Sequence, residues 1–155
     1  MSKSVKRVAR ALQEGGIDSA PVEIGQANTA RMAAELVGCS TDQIAKSIIF
    51  RGATSGAALL FITAGGNRVD DAKAAALAGE WLEKADAALI RAQTGFVIGG
   101  VASLGHVTPP RAFFDPRLKD FERVWAAAGT PRHVFGIAPA DLLRLSGAQE
   151  ADFTA

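Results

Sequence analysis

The sequence predicts an α+β fold in which helices pack around a mixed, largely antiparallel sheet. Two apolar runs, 46–50 and 57–63, are joined by a loop of glycine, serine and threonine, which is typical of a β-hairpin. Helical and strand-like segments are interspersed without the regular alternation of βαβ units. The chain has 155 residues, of which 48% are hydrophobic and 21% charged, so disorder and coiled coil are excluded. We therefore expect a single domain over 1–155.

Helix boundaries are predicted from capping residues and from glycines that follow apolar spacing. Ser4 is expected to cap a first helix that buries Val5, Val8 and Leu12 and ends at Gly15-Gly16. Thr29 is expected to open a second helix, ending at Gly38. Its inward face is predicted to hold Met32, Ala33, Leu36 and Val37. Later helices are predicted from Asp70 to Leu77, from Asp86 to Thr94 and from Pro139 to Leu145.

Further strands are predicted on either side of the hairpin. Apolar and β-branched residues indicate strands at 21–24, 107–114, 124–128 and 133–137. Proline-containing segments separate the last three, which indicates turns between them. Gly65-Gly66-Asn67 is expected to end the second hairpin strand.

The charge balance excludes a strongly basic nucleic-acid-binding protein but permits local basic patches. Seventeen basic and 16 acidic residues give a net charge of +1. Two basic clusters occur, and solvated faces are the commoner explanation for such clusters. The first holds Lys3, Lys6, Arg7 and Arg10, and the second holds Arg111, Arg117, Lys119 and Arg123.

Cysteine use and hydropathy indicate the cytoplasm. Cys39 is the only cysteine, so no intrachain disulfide can form. No apolar run approaches the length of a membrane helix, and no apolar stretch follows the basic N-terminus as in a secretory signal. We expect no membrane partner, and the oligomeric state is left open.

Motifs for metals, nucleotides and nucleophilic catalysis are missing or incomplete. There is no metal-binding spacing, no Gly-x-Gly-x-x-Gly and no Walker loop, so neither a metal nor a cofactor is expected. The segment Gly100–Gly105 has the spacing Gly-x-x-Ser-x-Gly, one residue different from that of a hydrolase elbow. A Ser103–His133–Asp141 triad, and with it a Ser103-dependent ester hydrolase, is one alternative.

Two features remain as candidates for a site. Lys46 opens an apolar strand, where it either extends along the sheet edge to solvent or places its positive charge at the mouth of a cavity, ready to bind a phosphate or a carboxylate. Residues 96–105 contain three glycines among small and apolar residues, which indicates a tight loop where the backbone approaches something closely.

These segments together resemble the YbaK family of free-standing aminoacyl-tRNA deacylases, which is related to the editing insertion domain of bacterial prolyl-tRNA synthetases. The resemblance is carried by the segments Gln43–Phe50, Thr94–Gly105, Ala127–Pro131 and Pro139–Leu142 and spans most of the chain. It implies the α+β fold, an aminoacyl-tRNA acceptor end as substrate and no cofactor. The implied activity is hydrolysis of the ester of a mischarged tRNA, typically proline tRNA carrying alanine or cysteine. An aminoacyl-tRNA synthetase is a possible partner.

The resemblance also implies roles for individual residues. Lys46 corresponds to the functionally important lysine of the family, and Gly99 and Gly100 to the loop glycines that shape the pocket. The implied catalytic residues are Lys46 and Gly100. The implied substrate-binding residues are Ser47, Gly99, Val101, Ala102, Ser103, His133 and Asp141.

The sequence departs from the family in the glycine loop. Ala102 and Ser103 stand where members usually carry a hydroxyl residue and a proline. This departure favours a second alternative, in which the chain is a non-catalytic accessory module that binds tRNA or a synthetase. In the catalytic reading, backbone N–H groups of 99–105 hold the ester carbonyl oxygen, and Ala30 and Ala33 are candidates for the amino-acid pocket.

Overall fold

The computed structural model describes residues 2–155, in which five α-helices surround one eight-stranded sheet. The helices are α1 (Lys3–Glu14), α2 (Ala30–Val37), α3 (Asp71–Ala78), α4 (Ala87–Thr94) and α5 (Pro139–Ser146). The strands are β1 (Val22–Glu23), β2 (Ile44–Gly52), β3 (Ala58–Ala64), β4 (Leu82–Lys84), β5 (Arg111–Phe114), β6 (Val124–Ala127), β7 (His133–Ile137) and β8 (Gln149–Glu150). Short 3-10 turns cover Thr41–Gln43 and Pro116–Asp120.

The sheet mixes antiparallel and parallel pairs. Its strand order is β1-β7-β6-β2-β3-β5-β8, and β4 pairs with the far end of β2. The pairs β1–β7, β6–β7, β2–β3 and β2–β4 are antiparallel, whereas β2–β6, β3–β5 and β5–β8 are parallel. The predicted α+β class and mixed, mostly antiparallel sheet are therefore confirmed.

The predicted hairpin forms the centre of the sheet. Its register runs from Ala45 opposite Ala64 to Arg51 opposite Ala58, and every residue of β3 is buried. Leu60 and Ile62 pack in one apolar cluster, whereas Leu59 and Phe61 pack in another, so both faces of the strand are covered. Because successive side chains of a strand point to opposite faces of the sheet, the core has two layers, one on each face.

Different helices cover the two faces. The larger cluster takes Val8 and Leu12 from α1, together with residues of α4 and α5. The second cluster packs α3 against three phenylalanines. The ring centroid of Phe61 lies 5.1 Å from that of Phe113 and 5.0 Å from that of Phe153. None of the helices described is long and apolar enough to cross a membrane.

Two predicted helix features are wrong in detail. Ser2, not Ser4, caps α1, because its side chain accepts from the backbone N–H of Val5 at 3.2 Å. In α2 the predicted inward residues Met32 and Leu36 are 38% and 48% exposed. Ala33, as predicted, and Ala34 face the sheet, since the short helix lies close to it, at Ile44.

Strand predictions differ mainly at the edges. The strand predicted over 107–114 begins only at Arg111. The N–H groups of Val107 and Thr108 donate hydrogen bonds to carbonyl oxygens at the end of α4 and so are not part of the sheet. The prolines at 109 and 110 also lack the donors that a strand ladder needs. β4 and β8 are not predicted, because strands of two or three residues are too short to show an alternating pattern.

Candidate active site

A cavity of about 300 Å³ lies where two neighbouring strands diverge. β2 and β6 pair only at Ile44–Trp125 and Ala45–Ala126. The next residues along both strands, Lys46 and Ala127, line the cavity, and α2 and the loop at Gly99 close it. Its volume lies at the lower end of the range for small-molecule sites.

Lys46 is held on the cavity wall by the turn after β3. Its Nζ donates to the carbonyl oxygen of Gly65 at 3.2 Å. An ammonium group has three N–H donors, so two remain for another ligand. Burial lowers the pKa of Lys46, and the nearby charge of Arg68 lowers it further, whereas Asp42 and Asp115 oppose the shift.

Two aspartates outside the cavity lining fix the turn that receives Lys46. Buried Asp115 accepts hydrogen bonds from the Ala64 N–H at 3.0 Å, the Asn67 Nδ2 at 2.9 Å and the Arg117 N–H at 3.0 Å. Asp42 accepts from the N–H of Gly66 at 2.8 Å. The sequence analysis missed both residues. An Asp-Pro pair at 115–116 signals only a local turn, and nothing local links it to residues 64–67.

His133 and Thr130 form a polar pair on the cavity wall. Nδ1 of His133 lies 2.7 Å from Oγ1 of Thr130, and both residues line the cavity. The Thr130 hydroxyl oxygen also accepts from the N–H of Arg132 at 3.1 Å. On its other side, Nε2 of His133 lies 3.7 Å from a carboxylate oxygen of Glu23, its register partner on β1. Thr130 is a residue that the sequence analysis did not single out.

The glycine loop reaches the cavity at Gly99 and Val101 but not at Gly100. Gly99 has a φ of +87°, which favours glycine, and lies against Pro131. Gly100 does not line the cavity, and a Cβ there would lie 2.6 Å from Cα of Thr130. Its N–H already donates to the carbonyl of Val97 at 3.0 Å. Gly100, predicted as a catalytic residue, therefore packs against the backbone at Thr130 and lies outside the cavity lining.

The other loop residues turn into the core. Ala102 and Ser103, predicted to bind substrate, are fully buried and do not line the cavity. The carbonyl of Ala102 lies 2.7 Å from Nε2 of His106, whose ring packs edge-on against Phe96. Burial lowers the pKa of His106, and Arg7 adds to this effect, while the bond to Ala102 opposes it. Ser103 Oγ has no hydrogen-bond partner in residues 2–155.

Asp141 is also placed away from the cavity. It lies in the first turn of α5 and pairs at 3.3 Å with Arg144 on the same helix. His133 is hydrogen-bonded to neither Asp141 nor Ser103, so the alternative of a Ser103–His133–Asp141 triad is wrong.

Small and polar side chains complete the wall opposite the loop. Ser47, predicted to contact substrate, lines the cavity, and its Oγ makes no hydrogen bond to any described residue. Ala30 and Ala33 of α2 line it as well. Within the described part of the chain, no three His, Cys, Asp or Glu side chains are grouped so that they could hold a metal ion.

The cavity, with its lysine and glycine loop, occurs in a chain whose residues 25–145 match the model of the aminoacyl-tRNA editing domain. The chain belongs to the aminoacyl-tRNA editing domain family. This finding confirms the resemblance drawn from the sequence.

Relatives of this editing domain agree with the assignment. The uncharacterized protein YwhH of Bacillus subtilis (strain 168) is 32% identical over 118 residues, which are 76% of this chain and 74% of that protein. A solved structure described as a "putative trans-editing enzyme for prolyl tRNA synthetase" is 43% identical, with a TM-score of 0.93 over 100% of this chain and 99% of the other. A structure from work on epitope grafting onto scaffold proteins is 44% identical, with a TM-score of 0.92 and the same coverage.

Proposed function

We propose that this editing domain is a trans-acting deacylase that hydrolyses the ester joining a wrong amino acid to the 3′ end of a tRNA. The observation that carries the proposal is that Lys46, Gly99 and His133 line one small cavity in a chain of the editing family. Residues 1–155 would form one editing unit that acts in the cytoplasm, where charged tRNA is used.

The size and lining of the cavity suit an aminoacyl group on a ribose. A volume of about 300 Å³ holds a small side chain and its ester but not a bulky nucleotide as well. Val97 and Ile98, directly before Gly99, are exposed apolar residues. They would provide an apolar rim for the terminal bases outside the cavity.

Lys46 would hold the substrate electrostatically. Its contact with Gly65 fixes the ammonium in place while leaving two N–H donors. These donors can bind an oxygen of the ester or the terminal phosphate, and a partly buried charge acts more strongly there than in water. Preorganised donors of this kind stabilise the charge that develops on the carbonyl oxygen.

Backbone donors from the loop would share this task. The N–H groups of Gly99 and Val101 donate to no acceptor among residues 2–155, and both residues line the cavity. They therefore replace Gly100 as the proposed donors to the ester oxygen. One such donor typically lowers the activation free energy by about 3 kcal/mol.

Water would be the attacking group. Its oxygen bonds to the carbonyl carbon, the bond to the ribose oxygen breaks, and that oxygen leaves with a proton, which gives free amino acid and tRNA. The ester is already reactive, so positioning and polarisation suffice. The neighbouring ribose hydroxyl, or the thiol of a cysteinyl substrate, would assist.

The proposed substrate is proline tRNA charged with a small amino acid such as alanine or cysteine. The support is the 43% identical neighbour, whose description names prolyl tRNA synthetase. Small residues on the cavity wall, Ala30 and Ala33 of α2 and Ser47 of β2, would surround the side chain. A synthetase partner would bring the charged tRNA to the site.

The test is a deacylation assay with a panel of mischarged tRNAs. The proposal predicts turnover of proline tRNA carrying alanine or cysteine, well above the spontaneous rate, and little with correctly charged tRNA. Binding without turnover across the panel would contradict a deacylase. It would instead support the non-catalytic accessory module.

A further inference from the structure

The outer face of α1 is a line of three cations. Lys3, Lys6 and Arg10 recur at i, i+3 and i+7, so they lie on one side of the helix, and all three are exposed. None of them lies within 4.0 Å of a carboxylate in residues 2–155. Glu14, one turn beyond Arg10, is the only acidic residue of α1.

The second basic cluster of the sequence is occupied by contacts within the chain. Arg117 pairs with two aspartates, and Lys119 pairs with a glutamate at 3.0 Å. Arg111 donates to two carbonyls at the end of α3, while the guanidinium of Arg123 lies 4.8 Å from the ring of Trp125. The two clusters therefore differ: each cation of the second cluster is engaged by a carboxylate, a carbonyl or an aromatic ring, whereas Lys3, Lys6 and Arg10 have no such contact with the described residues.

α1 also supports two segments of the cavity wall. Arg7 donates to the carbonyl of Gly95 at 3.3 Å, and its guanidinium lies 5.4 Å from the ring of Phe96, where the glycine loop begins. Gly129, which precedes Thr130 of the cavity wall, packs against the backbone of Ser4. The cationic face thus belongs to a helix that packs against the two segments leading into the cavity wall.

We propose that Lys3, Lys6 and Arg10 bind the phosphate backbone of the tRNA acceptor stem while its 3′ end occupies the cavity. This inference rests on the proposed function. From residue 3 to residue 10 the helix rises about 10 Å, at 1.5 Å per residue. One strand of a duplex carries a phosphate about every 3.4 Å of axis in DNA, so this length faces about three phosphates.

The test compares two triple variants with the same loss of charge. One carries Lys3→Gln, Lys6→Gln and Arg10→Gln, and the control carries Lys73→Gln, Lys84→Gln and Lys119→Gln on other elements. The Kd for uncharged proline tRNA is measured over a range of salt concentrations. Three lost phosphate contacts should flatten the slope of log Kd against log salt by about 2.7 and weaken binding on the order of 100-fold at 0.1 M salt. The control should keep the wild-type slope.

A second substrate separates this inference from the proposed function. The α1 variant should lose kcat/KM on mischarged tRNA but keep wild-type kcat/KM on an aminoacylated CCA trinucleotide, which lacks the stem. If the wild type hydrolyses neither substrate, the proposed function fails, and the salt slopes still decide the role of α1. An unchanged slope in the α1 variant, an equal loss in the control, or no tRNA binding by the wild type would overturn the inference.

Discussion

The ammonium of Lys46 lies 3.2 Å from the carbonyl oxygen of Gly65, and buried Asp115 holds the turn that presents this carbonyl. The position of the lysine therefore depends on a residue that never reaches the cavity. This arrangement connects a hydrogen-bond network behind the sheet to the candidate site.

Asp115→Ala is expected to reduce both stability and activity. The change leaves donors of Ala64, Asn67 and Arg117 without their acceptor, which should cost about 2–4 kcal/mol of unfolding free energy. The loosened turn should also lower kcat/KM on mischarged tRNA. Denaturant unfolding and deacylation measure the two effects. The control is Asp120→Asn, at an exposed pair with Arg117, which should change stability by less than about 0.5 kcal/mol. Equal effects of the two variants would contradict the network.

Gly100→Ala is expected to disturb the site through backbone packing. A Cβ at this position would lie 2.6 Å from Cα of Thr130, so the loop and the turn beside it must move apart. Turnover should fall together with the melting temperature. Gly147→Ala, at the end of α5 with no atoms near its Cβ, is the control and should lower stability only, through its positive φ. Full activity of Gly100→Ala would show that the loop tolerates the shift.

Ser103→Ala is expected to leave deacylation unchanged and to be neutral or slightly stabilising. The hydroxyl of Ser103 is buried without a partner, so its removal should relieve a desolvation cost of up to about 1 kcal/mol. Accordingly, a serine-directed phosphonate should not label the wild-type protein. Labelling at Ser103, or loss of activity in the variant, would instead support the alternative of a Ser103-dependent ester hydrolase.

His106 is expected to make the protein less stable in weak acid. Because burial lowers its pKa below the ordinary 6.5, the unfolded chain takes up the proton first. The stabilising contribution is complete above about pH 6.5 and declines as the pH falls toward the folded-state pKa. Melting temperatures from pH 5 to 8 test this. His106→Gln, which cannot titrate, should lose less stability between pH 7 and 5 than the wild type, and parallel curves would contradict the assignment.

Local signals in the sequence predict much of the fold. The caps at Thr29, Asp70 and Asp86 and the left-handed glycines at 38, 79 and 95 mark helix ends, because they act within one turn. The hairpin is predicted for the same reason. The inward face of α2 is predicted only at Ala33, since Ala33 and Ala34 gain their burial from a sheet that forms elsewhere in the chain, whereas Met32 and Leu36 are exposed.

The site is predicted in part. Lys46, Ser47, Gly99, Val101 and His133 all line the cavity. Ala102, Ser103 and Asp141 do not, because side-chain direction in a loop or on a helix depends on packing that a motif does not encode. For the same reason, the contribution of Asp42 and Asp115 to the Lys46 site is visible only when the turn, its acceptors and the lysine come together in three dimensions.

The most direct test of the account is deacylation of alanine-charged proline tRNA by wild type, Lys46→Ala and Lys46→Met under single-turnover conditions. Methionine keeps most of the apolar length of lysine but has no charge. We predict that both variants keep the wild-type fold by circular dichroism and lose activity on the order of 100-fold or more, as expected when a preorganised donor is removed. Wild-type rates in either folded variant would contradict the central role given to the Lys46 ammonium.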